Sequence, residues 1–370
     1  MSRKIVVVGW GPAAHRLVTG LLGTDAEVDV TVYAGEGAVA HDRSALPSTL
    51  ARSRAGHEGH AAHEGHAAHE APGARDRGDV AFDTTAAALP TPNDPRLDLR
   101  AGVRAVAVDR LHRLVHGSDQ WVQPYDTLVL ATGANPVLPP IRGLRTADGR
   151  DLLPGVHSAH NAADFHRLAE AAARGVHAVV IGGSSTGLAV AAALRISRGD
   201  DPLHVELVDQ TPATPEITPT DAYLTLRRTG VIAYQDCRVR ALESGSADAL
   251  TAVTLADGHR LSCDLAVIAC GTAPNTALAW TSGLAVARGI VVDDTLRSVS
   301  DPHIHALGAC AEHRRSLSGR HETLLAQADV LAGRLSGLDP QRTYRGPVQR
   351  AANATSVVAE AEALLRAATA

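Results

Sequence analysis

The chain has 370 residues, of which 45% are hydrophobic, 20% charged and only 3% aromatic. This length allows roughly two to three domains with aliphatic cores. The 35 basic and 40 acidic residues give a formal net charge of −5, so charge offers no basis for binding nucleic acid or an anionic membrane surface. The N-terminal apolar run "IVVV" is too short for a signal-peptide core, and no stretch of about 18 apolar residues occurs, so we expect a soluble, cytoplasmic protein.

The first predicted unit, residues 4–36, is a strand, a tight turn, a helix and a second strand. The turn has the pattern GxGxxG/A and consists of Gly9, Trp10, Gly11, Pro12, Ala13 and Ala14. In this pattern the first glycine makes the turn, the second lets the backbone approach a pyrophosphate, and the small last residue lets the helix pack against the strand. Glu36 follows Gly9 by 27 positions, where an acid can hold a ribose diol. We interpret Trp10 either as a packing residue or as a cofactor contact.

A histidine-rich segment, residues 57–71, interrupts this organisation within an insertion of about residues 52–78. It repeats the hexad EGHAAH and has no apolar face, which predicts a solvated insertion. Histidines at every third position, from 57 to 69, leave adventitious metal binding as an alternative. The HExxH pattern is not met, because Ala61 and Ala67 stand where the second histidine is required. We therefore predict no metal site.

The second half of the chain repeats the plan of the first half. Residues 78–135 alternate short strand-like runs with turns and end in "YDTLVLATGANPVLPP", and residues 231–276 end similarly in "DLAVIACGTAPN". Residues 177–209 form another strand, loop, helix and strand, and Asp209 follows Gly182 by 27 positions. The second loop consists of Gly182, Gly183, Ser184, Ser185, Thr186 and Gly187. The duplication predicts an α/β fold with two Rossmann-like, three-layer nucleotide-binding domains.

The C-terminal third supplies a further strand pair, "GIVVDD" and "IHALGAC", a helix at 321–337, and a tail with an amphipathic helix near 355–368. The predicted domains are the first part of one nucleotide domain at 1–156, the second nucleotide domain at 157–278, the rest of the first domain at 279–345, and a tail at 346–370. The second domain is thus inserted in the first. None of the four cysteines is in CxxC spacing, which favours reduced, buried thiols over the alternative of a redox-active pair formed by distant residues.

Four stretches resemble the FAD-dependent pyridine-nucleotide oxidoreductases that share the glutathione-reductase-type fold with two nucleotide domains. They are "VVVGWGPAAHR", "LVLATGANPVLPPIRG", "VVIGGSSTGLAVAAAL" and the segment that runs from "GTAPNTALAW" to "LGACAEH". The resemblance covers roughly residues 1–50 and 100–345. It is nearest to the flavoprotein part of assimilatory nitrite reductases and to ferredoxin and rubredoxin reductases. The C-terminal interface domain of that family is expected to be absent.

The resemblance implies two bound nucleotides. FAD would lie along the first loop, with its ribose near Glu36 and its flavin beside Arg43. The other residues implied for FAD are Ala131, Thr132, Gly133, Gly308 and Ala309. The nicotinamide nucleotide would lie on the loop 182–187, with Asp209 at the adenine ribose and Gly271 in the closing motif. A carboxylate at position 209 repels the phosphate of NADPH, which favours NADH.

Several residues depart from the family pattern. Ala309 stands where the family has an acid that holds the ribityl hydroxyls, and Ser184 replaces the glycine closest to the pyrophosphate. Ala189 replaces the usual glutamate, and Gly35 occupies one of the positions at which the first ribose acid can fall. The stretch "SALPST" lacks a lysine that is common near the flavin.

The main functional prediction is an FAD-dependent oxidoreductase without a redox disulfide that takes hydride from NADH onto FAD. Electrons would pass to a small molecule, to oxygen or to a separate redox protein. One alternative is a flavoenzyme with nicotinamide-independent or redox-neutral tailoring chemistry, and another is a degenerate, non-enzymatic partner subunit. Asp264 and Glu312 are candidate acids or bases, but no catalytic residue is assigned because the flavin performs the hydride chemistry. The oligomeric state stays open, with a homodimer among the alternatives.

Overall fold

A computed structural model describes residues 2–52, 82–198, 201–210, 220–245 and 248–346. The histidine-rich segment and the predicted tail helix near 355–368 lie outside the described residues. Among the helices that the structure describes, none is long and apolar enough to cross a membrane.

The described chain alternates strands and helices through most of its length. In chain order the strands are β1 (Arg3–Val8), β2 (Val28–Ala34), β3 (Ala40–His41), β4 (Ala88–Leu89), β5 (Leu97–Ala101), β6 (Ala105–Asp109), β7 (Leu114–Gly117), β8 (Val122–Pro124), β9 (Thr127–Leu130), β10 (Ala134–Pro136), β11 (Val156–Ser158), β12 (His177–Ile181), β13 (His204–Asp209), β14 (Ile232–Gln235), β15 (Val239–Ser244), β16 (Leu250–Leu255), β17 (Arg260–Ser262), β18 (Leu265–Ile268), β19 (Thr272–Pro274), β20 (Ile290–Val292), β21 (Ile304–Ala306) and β22 (Ala311–His313). The helices are α1 (Pro12–Leu22), α2 (Leu46–Arg52), α3 (Ala162–Arg174), α4 (Ser185–Ile196), α5 (Thr220–Thr229), α6 (Ala277–Thr281) and α7 (His321–Leu335).

The chain divides into two compact units. The first comprises the described residues within Met1–Asp42, Ala87–Asn135 and Thr272–Ala351. The second comprises the described residues within Arg43–Ala86 and Pro136–Gly271, and it is therefore inserted in the first along the sequence.

The first unit is built on a five-stranded sheet in the order β21-β9-β1-β2-β5. All four strand pairings are parallel, with Val6 opposite Thr31 on one side and Leu128 on the other. Ile5, Val6 and Val7 are fully buried, as expected for the central strand of a parallel sheet covered on both faces. Helices α1 and α7 pack against each other. The antiparallel sheet β6-β7-β8 also belongs to this unit.

The second unit repeats the plan with the parallel order β11-β18-β12-β13-β14. Helix α4 is almost wholly apolar, and its residues from Val190 to Leu194 are fully buried. Asn161 and Asp164 form a capping box that begins α3. An antiparallel sheet, β15-β16-β17, completes the unit.

The predicted α/β fold with two Rossmann-like units, the second inserted in the first, is confirmed by this architecture. The predicted helix at 321–337 corresponds to α7. The prediction that the two C-terminal strands pair with each other is wrong. Strand β20 pairs with β22, whereas β21 joins the first sheet beside β9. This position buries Ile304 and Ala306 of β21 completely.

Candidate functional site

The first glycine loop lies between β1 and α1 and is shaped by close backbone contacts. Gly9 has φ +108°, and its amide donates to the Tyr33 carbonyl at 3.0 Å. A Cβ atom on Gly9 would overlap the carbonyl oxygen of Ala131, so the turn requires glycine on both steric and conformational grounds. Ala14 is fully buried, and its small side chain lets α1 start close to the sheet.

Gly11 lies beside open space at the start of the first helix. Among the described residues other than its chain neighbours, no heavy atom lies within 4 Å of the position that its Cβ would occupy. Gly11 precedes Pro12 at the start of α1, whose N-terminus is not capped by any described side chain and has no acid in its first turn. The first amides of a helix lack intrahelical partners and face outward with partial positive charge. This arrangement fits a pyrophosphate.

Two other predicted segments end at the same sheet edge as this loop. Ala131 donates its amide to the Val8 carbonyl at 2.8 Å, and Leu307 donates to Leu130 at 3.1 Å. Because β1, β9 and β21 are parallel, the residues that follow them share one edge of the sheet. Gly308 lies near the first loop, since its Cβ position is 3.4 Å from the Cβ of Ala13. The structure thus brings together the predicted residues of loops 9–14, 131–133 and 308–309.

The short segments 131–133 and 308–309 are held by contacts that sequence reasoning did not identify. Gly133 has φ +68° and accepts the Asn275 amide at 2.9 Å, while the Thr132 hydroxyl donates to the Asn275 carbonyl at 2.6 Å. The Gly308 amide donates to Oε1 of Gln327 on α7 at 2.7 Å. Gln327 is 2% exposed, and nothing in the local pattern indicated this role for a polar residue within a helix.

The remaining residues of the predicted FAD set differ in their surroundings. Glu36 is exposed and follows β2 at the carboxyl edge of the first sheet. A Cβ on Gly35 would lie 2.7 Å from Cγ of Arg104, whose exposed side chain lies against this position. Arg43 belongs to the second unit, where its Nη1 is 2.9 Å from Nε2 of His160. Its predicted place beside the flavin stays a prediction.

Trp10 acts as a packing residue within the first loop. Its side chain is 9% exposed, its Nε1 donates to the Ala38 carbonyl at 3.0 Å, and its ring centroid is 5.4 Å from that of His15. These contacts support the packing interpretation of the two that the sequence allowed.

The second glycine loop lies between β12 and α4 and reproduces the first. Gly182 has φ +118°, and a Cβ there would overlap the Ala269 carbonyl oxygen. A Cβ on Gly187 would overlap the carbonyl oxygen of Gly182, so α4 starts directly against the loop. Ser185 and Thr186 are exposed in the first turn of α4. Gly271 follows the neighbouring strand β18 and has φ +90°. In the part of the chain that the structure describes, no heavy atom beyond its chain neighbours lies within 4 Å of its Cβ position.

Ser184 is the N-cap of α4, and its hydroxyl is used within the loop. Its Oγ accepts the Gly187 amide at 3.2 Å and donates to the Ala269 carbonyl at 2.9 Å. The backbone of Ser184 has φ −64°, a conformation open to any residue. Serine is therefore compatible with the loop, and its hydroxyl binds the buried Gly187 amide from within the loop.

The acid at the end of β13 lies directly against the second loop. A Cβ on Gly183 would overlap Oδ2 of Asp209 and would lie 2.6 Å from the Tyr223 hydroxyl oxygen. The Tyr223 hydroxyl donates to Asp209 Oδ2 at 2.7 Å. Burial and this hydrogen bond raise the pKa of Tyr223 above its usual value, so the phenol remains a donor at neutral pH.

The candidate acids and the cysteines have structural surroundings. Asp264 accepts the backbone amides of Val176 and His177 at 2.9 and 3.1 Å. Glu312 is 4% exposed, and its Oε2 accepts two backbone amides, each at 2.8 Å. None of the four cysteines is in a disulfide. Burial raises the pKa of Cys263 to about 12 and raises the pKa values of Cys270 and Cys310, which keeps these thiols protonated.

Two parallel-sheet units, each with a glycine loop opening a helix and an acid after the next strand, define a dinucleotide-dependent protein. The model of the family described as pyridine nucleotide-disulphide oxidoreductase matches residues 3–330. The chain belongs to this family.

Curated relatives cover most of the chain. It is 27% identical over 351 residues to a nitric oxide reductase FlRd-NAD(+) reductase of Vibrio vulnificus, an alignment that covers 93% of this chain and 81% of the relative. It is 30% identical over 312 residues to rhodocoxin reductase of Rhodococcus erythropolis, covering 84% and 65% of the two chains. The nitrite reductase [NAD(P)H] of Bacillus subtilis is 28% identical, and the alignment covers 94% of this chain but 39% of that protein.

The fold also matches solved structures. The covalent putidaredoxin reductase–putidaredoxin complex superposes with a TM-score of 0.74 at 26% identity, covering 90% of this chain and 75% of the other. These findings confirm the predicted family and an FAD- and NAD(P)H-dependent oxidoreductase. The roles of individual site residues stay predictions.

Proposed function

We propose that this protein takes hydride from NADH onto FAD and passes the electrons to a small redox protein. The observation that carries the choice of acceptor is the set of relatives. One is a FlRd-NAD(+) reductase, another is a rhodocoxin reductase, and a superposable structure is of a reductase in complex with putidaredoxin. A cytoplasmic location, as predicted from the sequence, is part of the same proposal.

In the first unit, the first loop would hold the pyrophosphate of FAD. Gly11 gives the backbone its close approach, and the first amides of α1 donate to the phosphate oxygens. Glu36 would accept the ribose hydroxyls, and the loops after β9 and β21 would border the rest of the cofactor. When bound, FAD supplies a ring that accepts a hydride and releases its electrons to an acceptor.

In the second unit, the loop 182–187 would hold the pyrophosphate of NADH. The exposed first turn of α4 offers the amides of Ser185 and Thr186, while Ser184 shapes the loop from within. Asp209 would accept the adenine-ribose hydroxyls. Its negative charge disfavours the 2′-phosphate of NADPH, so NADH is the proposed donor.

The cysteines support direct transfer from the flavin to the acceptor. The disulfide reductases of this fold need a reactive dithiol, and thiols with raised pKa values are poor nucleophiles. Cys310 is fully buried and lies at the edge of the sheet next to Leu130 and Leu307, whose carbonyls accept from its Sγ at 3.4 and 3.3 Å. We therefore interpret Cys310 as a residue that packs within the core of the first unit.

Rapid mixing of the NADH-reduced holoenzyme with candidate acceptors tests the proposal. Oxidised rubredoxin, a two-iron ferredoxin and a flavodoxin-type protein are each compared with dissolved oxygen at equal concentration, and NADH without enzyme is the control. We expect at least one protein acceptor to reoxidise the enzyme faster than oxygen does, because charge complementarity speeds the encounter of a matched partner with the enzyme. Reoxidation by oxygen alone, with no protein acceptor reduced, would overturn the proposed acceptor.

A further inference from the structure

The adenine-ribose carboxylate of the second unit already has an internal partner from a separate element. Asp209 ends β13, and Tyr223 lies on α5, which follows in sequence. The Tyr223 hydroxyl donates to Asp209 Oδ2 at 2.7 Å. Both groups lie above the backbone of Gly183, at the place that a side chain on that residue would occupy.

The carboxylate is covered rather than presented to solvent. Asp209 is 7% exposed and Tyr223 is 6% exposed. A ribose hydroxyl that binds this carboxylate donates a hydrogen bond to it, as the Tyr223 hydroxyl now does. Because Oδ2 and the Tyr223 hydroxyl both lie against Gly183, a ribose hydroxyl that approaches Oδ2 from the loop would meet the tyrosine hydroxyl.

We propose that Tyr223 competes with the adenine ribose of NADH for Asp209, so that NADH binds only as the tyrosine hydroxyl gives up its hydrogen bond. The proposal rests on the proposed use of NADH on this loop and adds a residue that sets its affinity. The tyrosine is one hydrogen-bond donor to the buried carboxylate before the nucleotide arrives, and hydrogen bonds offset the cost of burying a charge. The nucleotide then exchanges one hydrogen bond for another, which limits its net gain in free energy.

The same geometry predicts different effects of Tyr223 on nucleotides with and without a 2′-phosphate. A ligand with a free 2′-hydroxyl can replace the tyrosine as a donor to Asp209. A ligand with a 2′-phosphate has no hydroxyl at that position and carries a negative charge that the carboxylate repels. Removing the tyrosine hydroxyl should therefore improve binding of the first ligand and leave the second unchanged.

Calorimetric titration of the FAD-loaded protein with ADP-ribose tests the competition without turnover. Bound FAD keeps the first loop filled, so the ligand reports on the second. We expect Tyr223→Phe to bind ADP-ribose about tenfold more tightly than the natural chain, the factor for one hydrogen bond to a charged group. ADP-ribose with a 2′-phosphate should bind no better to the variant.

Tyr234→Phe is the matched control. Its hydroxyl donates to Oε1 of Glu206 at 3.0 Å on the neighbouring strand of the same sheet. It thus removes a tyrosine–carboxylate bond of the same kind away from the glycine loop, and ADP-ribose affinity should stay unchanged. Thermal unfolding of both variants separates a change in binding from a loss of folded protein.

A double-mutant cycle with Asp209→Asn tests whether Tyr223 changes ADP-ribose affinity through the Asp209 carboxylate. Because Tyr223 acts through the carboxylate, Tyr223→Phe should give no gain in the Asp209→Asn background. An unchanged or weaker affinity in Tyr223→Phe, or an equal gain with and without Asp209, would overturn the competition while leaving NADH binding intact. A natural chain that fails to bind ADP-ribose at all would overturn both this inference and the proposed NADH site.

Discussion

Replacing Ser184 by alanine separates the two roles that a serine in this loop can have. The hydroxyl accepts the Gly187 amide and donates to the Ala269 carbonyl, so it is directed into the loop. If these are its only roles, its removal weakens the fold of the second unit and leaves the pyrophosphate site as it was. If the hydroxyl instead turns to the phosphate, its removal weakens nucleotide binding.

The expected size of the effect follows from the two contacts. Loss of an N-cap serine costs about 1 kcal/mol. The Ala269 carbonyl also loses a donor, which adds roughly 1 kcal/mol. We therefore expect Ser184→Ala to lower the free energy of unfolding of the second unit by about 1–2 kcal/mol and to change the NADH dissociation constant by less than about twofold.

The assay must report on the second unit, because Trp10, Trp121 and Trp280, the three tryptophans of the chain, all lie in the first. Hydrogen exchange of the α4 amides gives the local opening free energy, and calorimetry gives NADH affinity. Ser185→Ala removes an exposed neighbouring hydroxyl and should change stability by less than about 0.5 kcal/mol. A tenfold loss of NADH affinity in Ser184→Ala with unchanged α4 exchange would refute the reasoning.

Three other predictions concern the first unit. Burial lowers the pKa of His305 to about 4 from 6.5, so the unfolded state binds the additional proton. The contribution of His305 to the free energy of unfolding should be fully present above pH 6.5, and about 3 kcal/mol of it should be lost as the pH falls to 4. Urea unfolding followed by tryptophan fluorescence should show this loss. An equal loss in His305→Leu would contradict the prediction. Gly11→Ala should keep the unfolding midpoint of the FAD-free protein but lower FAD affinity about tenfold or more, because only the cofactor needs the open space; a shifted midpoint or unchanged FAD affinity would speak against this. Ala309→Asp should raise FAD affinity about tenfold through a charge-assisted hydrogen bond. Quenching of flavin fluorescence measures this affinity. An unchanged affinity would show that the alanine at position 309 does not weaken FAD binding.

The sequence predicted the features that depend on neighbouring residues. Gly9 and Gly182 are followed by helices and, at the same offset, by acids, and the structure places both glycines at positive φ against the carbonyl of an adjacent strand. Because the backbone contacts at these points require glycine, the glycine-loop pattern can be recognised in the sequence. The buried strands were predictable for the same reason, since strands covered on both faces need uninterrupted apolar runs.

Contacts between distant segments were not predictable in this way. Gln327 binds the Gly308 amide across 19 positions, and Tyr223 binds Asp209 across 14 positions. In sequence, each is one polar or aromatic residue within a helix, where a packing role is the usual interpretation. The pairing of β21 with β9 rather than with β20 depends on sheet order, which local pattern does not specify.

An anaerobic titration of the purified protein with NADH, followed at the flavin absorption band, tests the central claim most directly. The proposed function predicts that the oxidised flavin band disappears at stoichiometric NADH, which requires both nucleotide sites to work with Ser184 and Ala309 in place. A flavin band that persists under excess NADH and NADPH would contradict the claim.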